Sequence, residues 1–342
     1  LAAAGAGANK LTAAAVAALL ERCAGLRVVV VGDVFLDEYW VGRPERLSRE
    51  GPVPVLAFQR RFCLPGGAAN PARNMAALGA KARQVGVVGA DAAAEELRRA
   101  LAEAGIDAAG LVTDPSRPTT VKTRIVAEGL TAPQQVARID RQVRADLDDA
   151  VAARLVAALA AGAAGADAIL VSHYRSGVAT PAVRDAARAV AADRGIWLTV
   201  DAQGDLDRFA GFHVVRVGRL DAANSLGRHL ESEDDFAAAG RELRARLGAR
   251  VVILGRGPRG MSVVDEDGHW VVRPANVSEV YDVAGAGDTV IAVVTLALAA
   301  GAGTHDAVWL ANTAAGIAVR RLGVAAPTAA EILAEIDPAR RR

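Results

Sequence analysis

"EVYDVAGAGDTVIAVVTLALAAG", residues 279–301, sets two glycines and an acidic residue between a β-like run and a long apolar helix. Glycines at 285 and 287 let backbone amides turn inward with no Cβ in the way, and the helix that starts there adds its positive end. Gly285, Ala286 and Gly287 then form an anion hole. Asp288 falls in the first helical turn, where a carboxylate beside an incoming anion is repelled unless it has a task. Removing a hydroxyl proton while the amides hold developing phosphoryl charge is such a task. For an isolated Gly-x-Gly-Asp the commoner role is a helix cap.

Around this stretch the pattern is α/β. Apolar β-branched runs at 28–31, 168–171, 197–200, 214–217 and 251–254 lack strict alternation, as strands covered on both faces do. Helical patterns separate them at 68–78, 91–104, 146–162, 181–194, 233–247, 287–300 and 304–321. With no internal repeat, this order predicts one doubly wound, mostly parallel sheet with helices on both faces. The Ala-rich start reads as a disordered tip followed by an amphipathic helix over roughly 11–24. Segments 38–62 and 117–138 are extended and proline-punctuated, with no adequate apolar face for the main core. They are expected to form a small separate β-sheet, a lid over one edge.

The chain has 342 residues, 52% of them hydrophobic, enough for a large core. Lys and Arg number 40 against 39 Asp and Glu, so no global field draws it to nucleic acid or an acidic membrane. Cys23 and Cys63 are the two thiols, too few for a disulfide scaffold and not in a metal-ligand spacing, which favours a reducing, cytoplasmic setting. No uninterrupted apolar stretch reaches ~18 residues, and none follows basic residues as in a secretion signal.

"GRGPRG" at 255–260 matches G-x-G-x-x-G after a strand, but a dinucleotide fingerprint must open a helix. Here "MSVVDEDGHWVV" reads as two short strands joined by an Asp-Gly turn. A glycine turn is the better reading; its amides at Gly255, Gly257 and Gly260 retain a weaker claim on a phosphate.

"DVAGAGDT" (282–289) resembles the C-terminal signature of the ribokinase-like PfkB sugar kinases, and "PGGAANPARNMAALGA" (65–80) resembles their N-terminal glycine signature. "VVVVGDVFLDEYWVG", "PVPVLAFQRRFCLPGGAAN", "TTVKTRIV" and "QQVARID" are similar to the members that phosphorylate D-glycero-β-D-manno-heptose 7-phosphate at O1. The resemblance runs from about Leu26 to about Glu335 and implies a kinase domain over 26–336, between a tail and helix (1–25) and a short tail (337–342). It implies magnesium-dependent, in-line transfer of the γ-phosphoryl of ATP to a sugar hydroxyl, with Asp288 as base. Positioning and charge neutralisation then supply most of the catalysis.

By the same resemblance Asp33, Asp37, Gly66, Gly67 and Asn70 line the sugar pocket. Their chemistry suits this: carboxylates accept hydroxyl protons, an amide donates and accepts, and glycines admit a sugar to the backbone. Taken singly, each acidic residue reads as a turn residue and Asn70 as a cap. Lys122, Arg124 and Arg138 in the lid are candidates for a phosphate already on the sugar, or a solvated basic face. Asp282 resembles the position that helps hold a monovalent cation such as potassium, and Asn312 an adenine-side residue.

The nucleotide half departs from the pattern. Gly218 stands where the resemblance expects Asn of an Asn-x-x-Glu motif that organises magnesium water, with Asp221 at the Glu position. His173 and Ser176 replace Asp and Lys, Gln203 replaces Lys, and Gly255 replaces a hydroxyl residue. Arg216 or Arg219 is a candidate for restoring charge. His173 reads as a satisfied buried histidine, lacking partner ligands nearby. Three readings follow: a heptose 7-phosphate kinase, a PfkB kinase for another sugar or nucleoside, or a degenerate kinase that binds sugar phosphate without turnover. The chain leaves no room after the kinase for the nucleotidyltransferase domain of bifunctional relatives, so a separate adenylylating protein is expected. An apolar lid face including Val53, Val55 and Phe58 predicts a homodimer through the lid.

Overall fold

The computed structural model of the protein describes residues 11–129, 133–275, 280, 282–321 and 323–337. The expected N-terminal tip, most of the C-terminal tail and much of the β-like run before Asp282 lie outside them. In chain order the strands are β1 (Arg27–Gly32), β2 (Val34–Leu47), β3 (Pro54–Gly67), β4 (Lys81–Val88), β5 (Asp107–Thr113), β6 (Val121–Ala127), β7 (Gln134–Arg141), β8 (Ala168–His173), β9 (Trp197–Ala202), β10 (Val214–Gly218), β11 (Val251–Gly255), β12 (Met261–Val264) and β13 (His269–Val272). The helices are α1 (Ala13–Cys23), α2 (Ala69–Ala77), α3 (Ala92–Glu103), α4 (Asp149–Ala163), α5 (Pro181–Arg194), α6 (Arg219–Leu226), α7 (Glu233–Leu247), α8 (Ala286–Ala299), α9 (Thr304–Ala318) and α10 (Ala329–Ile336).

Nine strands form the main sheet in the order β13-β12-β11-β10-β9-β8-β1-β4-β5. It is parallel from β11 to β5, and β12 and β13 run antiparallel at one edge. Successive side chains of a strand point to opposite faces, and β1 shows the result. Val28 and Val30 pack with α1, α2, α3, α8 and α9, while Val29 and Val31 pack with α4, α5 and α7. Burial on both faces is why these strands read as continuous apolar runs. Burying one such side chain fully contributes about 1.5–3 kcal/mol, and truncating a large one such as fully buried Phe236 to Ala costs about 3–5 kcal/mol.

Helix starts follow local chemistry. Thr12, Asp91, Asp148, Thr180, Ser232 and Thr328 each accept an amide of the first turn, and Ser232 and Thr328 complete capping boxes. α8 differs. It starts on Gly285 at φ 78° with no side-chain cap. The glycine motif at 255–260 joins antiparallel β11 and β12 through a short 3-10 turn, Gly257–Arg259, and opens no α-helix. A Cβ on Gly260 would overlap the Val272 carbonyl, so its glycine answers to packing.

The expected lid is a second sheet in the order β3-β2-β6-β7. Its register sets Asp37, Lys122 and Asp140 in one row across β2, β6 and β7, and Tyr39, Arg124 and Arg138 in the next. These six residues share one face. On the other face Trp40 is 47% and Ile139 61% exposed, and Phe58 on β3 is 68% exposed. No described helix is long and apolar enough to cross a membrane.

Candidate active site

The starts of α8 and α2 meet beside the carboxyl end of β8, the end of such sheets at which ligands usually bind. Asp288 lies there, buried. Its Oδ2 accepts from Asn70 Nδ2 at 2.8 Å and its Oδ1 from the Tyr174 hydroxyl at 2.7 Å. A carboxylate aimed at two side chains is not spent on a helix cap. Burial, then the nearby Asp201 charge, pushes its pKa up to about 7, against the pull of Asn70, Tyr174 and Arg216. Burial and Asp288 together raise Tyr174 well above the usual tyrosine range, so its hydroxyl remains a donor. The glycines are required by crowding as well as conformation. A Cβ on Gly285 would stand 2.5 Å from Asn70 Nδ2, and one on Gly287 would overlap the Arg216 guanidinium.

Asp33 accepts the backbone amides of Tyr174 (2.6 Å), Ser176 (3.2 Å) and Val178 (3.2 Å), so it pins the loop that carries Tyr174. Asp37 is buried and pairs with Arg124. Gly66 admits this carboxylate, since a Cβ there would overlap Asp37 Oδ2, and Gly67 at φ 58° abuts the Asp33 carbonyl and the Phe35 ring. The three lid cations separate. Arg124 is held by Asp37, and Arg138 forms a two-pronged pair with Asp140 at 2.8 and 3.0 Å. Lys122 Nζ sits 4.0 Å above the Phe35 ring centroid and 5.3 Å from that of Tyr174, with burial lowering its pKa. Phe35 and Tyr174 meet edge to face at 5.2 Å, which links the lid lysine to Asp288.

Asp221 lies in the first turn of α6, with Arg175 Nη2 3.8 Å from its Oδ1 and its pKa raised by burial. Arg175 has φ 59°, uncommon for a non-glycine residue, and its Nε donates to the Gln203 carbonyl at 2.6 Å. Gly218 has φ −74° and open space, the nearest atom to a built Cβ being Asp221 Oδ2 at 3.7 Å. Gly255 is its register partner on β11. Asp282 accepts the amides of Ala284 at 2.9 Å and Gly323 at 3.0 Å, and Asn312 donates to the Arg273 carbonyl at 2.8 Å.

His173 corrects an expectation. It is buried, but neither ring nitrogen has a hydrogen-bond partner among the described residues; Asp33 Oδ2 lies 3.7 Å from Nδ1, and burial lowers the ring pKa. Three residues that the structure places around Asp288 carry little or no signal in the sequence. Tyr174 and Asp201 carry no motif. Arg216, open as to direction in the sequence, turns to Asp201 with Nη1 2.9 Å from Oδ1, whereas Arg219 is exposed. Its signal was a charge in the apolar strand VVRVG.

The profile of the pfkB family carbohydrate kinases matches residues 26–331. The bifunctional protein HldE of Citrifermentans bemidjiense is 39% identical over 322 residues, 94% of this chain. The chain spans 65% of the length of that relative. Among solved structures, phosphofructokinase-2 from Escherichia coli in complex with potassium superposes with a TM-score of 0.74 at 21% identity, over 93% of this chain and 100% of the other. Arabidopsis thaliana ribokinase complexed with ribose and ATP gives 0.69 at 17% identity, over 92% and 99%. The fold is therefore ribokinase-like, and the chain belongs to the pfkB family of carbohydrate kinases, phosphotransferases whose acceptor is a sugar hydroxyl.

Proposed function

We propose that the chain transfers the γ-phosphoryl of ATP to O1 of D-glycero-β-D-manno-heptose 7-phosphate, with Asp288 as general base and the Gly285–Gly287 amides as anion hole. The observation that carries this reading is the Asp288 carboxylate, held by Asn70 and Tyr174 at the uncapped start of α8 and poised near pH 7. A base is most effective when its pKa lies near the working pH. The heptose acceptor rests on the motifs of the first and second glycine regions and the lid, and Asn70, Asp33, Asp37, Gly66 and Gly67 supply its polar wall. Lys122 is the best-placed lid cation for the 7-phosphate, since Arg124 and Arg138 already face carboxylates. Magnesium supplies charge neutralisation of the triphosphate; Asp221, half-buried with its nearest cation 3.8 Å away, suits an acceptor of metal-bound water. Asp282 suits potassium, because each oxygen keeps a lone pair beyond its amide contact. Gly255, Gly257, Gly260 and Asn312 remain on the nucleotide side of this reading. The exposed Trp40, Phe58 and Val53 support pairing of two copies through the lid.

One set of observations favours a second reading, a sugar-phosphate binder with little turnover: Gly218 and Gly255 face each other where the nucleotide half needs polar side chains. ADP release measured across sugar phosphates, with Asp288→Asn as the blank, tests both. Release above the blank with heptose 7-phosphate supports the kinase reading. Tight binding of the sugar phosphate with release equal to the blank supports the binder.

A further inference from the structure

The geometry points to Arg216 as the side chain that grips the oxygens of the phosphoryl group in transit above the Gly285–Gly287 turn. This rests on the proposed kinase reading and deepens it by naming the chain's own cation for the step. On β10, Val214 packs in the core on the α8 side and Val215 and Val217 in the opposite core, so alternation turns Arg216 toward α8. A guanidinium at an inward strand position gives up hydration and needs compensation. Asp201, its register partner on β9, supplies part through the Nη1 contact at 2.9 Å.

Among the described residues that contact uses one of five N–H donors. The rest of the guanidinium lies against Gly287, where a Cβ would overlap it, and Nη2 stands 3.2 Å from the Cβ position of Gly255. Two glycines thus clear its surroundings at the helix start, and the side chain is 21% exposed, enough to meet a ligand. A residue serving only to neutralise Asp201 would need neither feature. In the step, the acceptor hydroxyl gives its proton to Asp288, its oxygen bonds to the γ-phosphorus, and the bond from that phosphorus to the β-bridging oxygen breaks, ADP keeping the electron pair. Charge on the non-bridging oxygens meets a planar fork of donors suited to them.

The test compares calorimetric affinities for a non-hydrolysable ATP analogue and for ADP, both with magnesium. The variants are Arg216→Lys and the double variant Arg216→Met with Asp201→Asn, which removes both partners of the ion pair together. The double variant is expected to lose about ten- to a hundredfold in affinity for the triphosphate and less than about threefold for ADP. Arg216→Lys retains the ion pair without the fork and is expected to fall between; it serves alone if the double variant fails to show a cooperative melt. Equal losses for both nucleotides, no loss, or tighter triphosphate binding overturns the assignment. ADP release that survives Asp288→Asn would instead sink the base reading, while the triphosphate-to-diphosphate ratio still decides Arg216.

Discussion

Asn70 Nδ2 donates to Asp288 Oδ2 at 2.8 Å across 218 residues of sequence. The two glycine-flanked helix starts, one on α2 and one on α8, therefore converge on a single carboxylate. Each start is uncapped by a side chain of its own. The hydrogen bond couples the start of α2 to the start of α8, so substitutions on one helix should be read out on the other.

Asp288→Asn should reduce turnover by ~10²–10⁴, the usual contribution of a positioned acid–base group. An asparagine can still face Tyr174 and Asn70, so the fold should persist. A cap would behave in the opposite way, keeping activity and losing stability. Steady-state ADP release together with a thermal melt separates the two.

The pKa of about 7 at Asp288 gives two pH effects with defined signs. As a base the group acts deprotonated, so kcat/KM should rise with pH up to about 7 and then level. For stability, an unfolded aspartate titrates near ~3.9. Between that value and about 7 the folded chain binds the extra proton, so this group's contribution to stability falls as pH rises through that window. Asp288→Asn should therefore raise Tm relative to wild type more at pH 8 than at pH 5. An equal shift at both would mean that the carboxylate is not held protonated.

Asn70→Ala should weaken sugar phosphate far more than ATP. Because its hydrogen bond lowers the Asp288 pKa, removing it should also move the acid limb of kcat/KM to higher pH. Calorimetry with each ligand and a pH profile check both halves. Equal losses for the two ligands would contradict the sugar-side placement.

The central strands and most helices were legible because burial on both faces writes itself as short, mostly apolar runs without strict alternation, and because the polar faces between them repeat at helical spacing. β4 and β5 were not: "KARQVGVV" and "DAAGLVT" mix charge, glycine and alanine near the sheet edge. α6 and α10 are eight residues each, too short for a clear period. In the site, the left-handed turn at Gly285 was readable from its glycine, whereas Asp288 and Asn70, taken singly, read as helix caps and were singled out only through the family resemblance. Tyr174 was not, since its role comes from a loop placed by Asp33 amide contacts rather than by sequence spacing. Arg216 and Arg175 point where tertiary packing sends them, and no one-dimensional pattern carries that direction.

Gly218→Asn tests whether the nucleotide half is slow for want of one amide. The φ of −74° and ψ of 156° are accessible to any residue, so asparagine meets no left-handed strain there. Space is free as well: the nearest atom to a Cβ is Asp221 Oδ2 at 3.7 Å, the carboxylate with which that amide should cooperate. Gly218 is also the N-cap of α6 without a side-chain contact, and asparagine is among the preferred caps, worth a few tenths of a kcal/mol (~0.3) over glycine. Stability should therefore hold or rise slightly. A polar contact to magnesium water or phosphate is worth ~1–3 kcal/mol, so turnover should rise by roughly one to two orders of magnitude, or the magnesium requirement fall. ADP release against magnesium concentration for wild type, Gly218→Asn and Asp221→Ala, with heptose 7-phosphate as acceptor, gives the comparison. Asp221→Ala should lose activity and raise the magnesium requirement. Fast wild-type turnover indifferent to Asp221 would show that other side chains hold the metal and that this loop is a bystander.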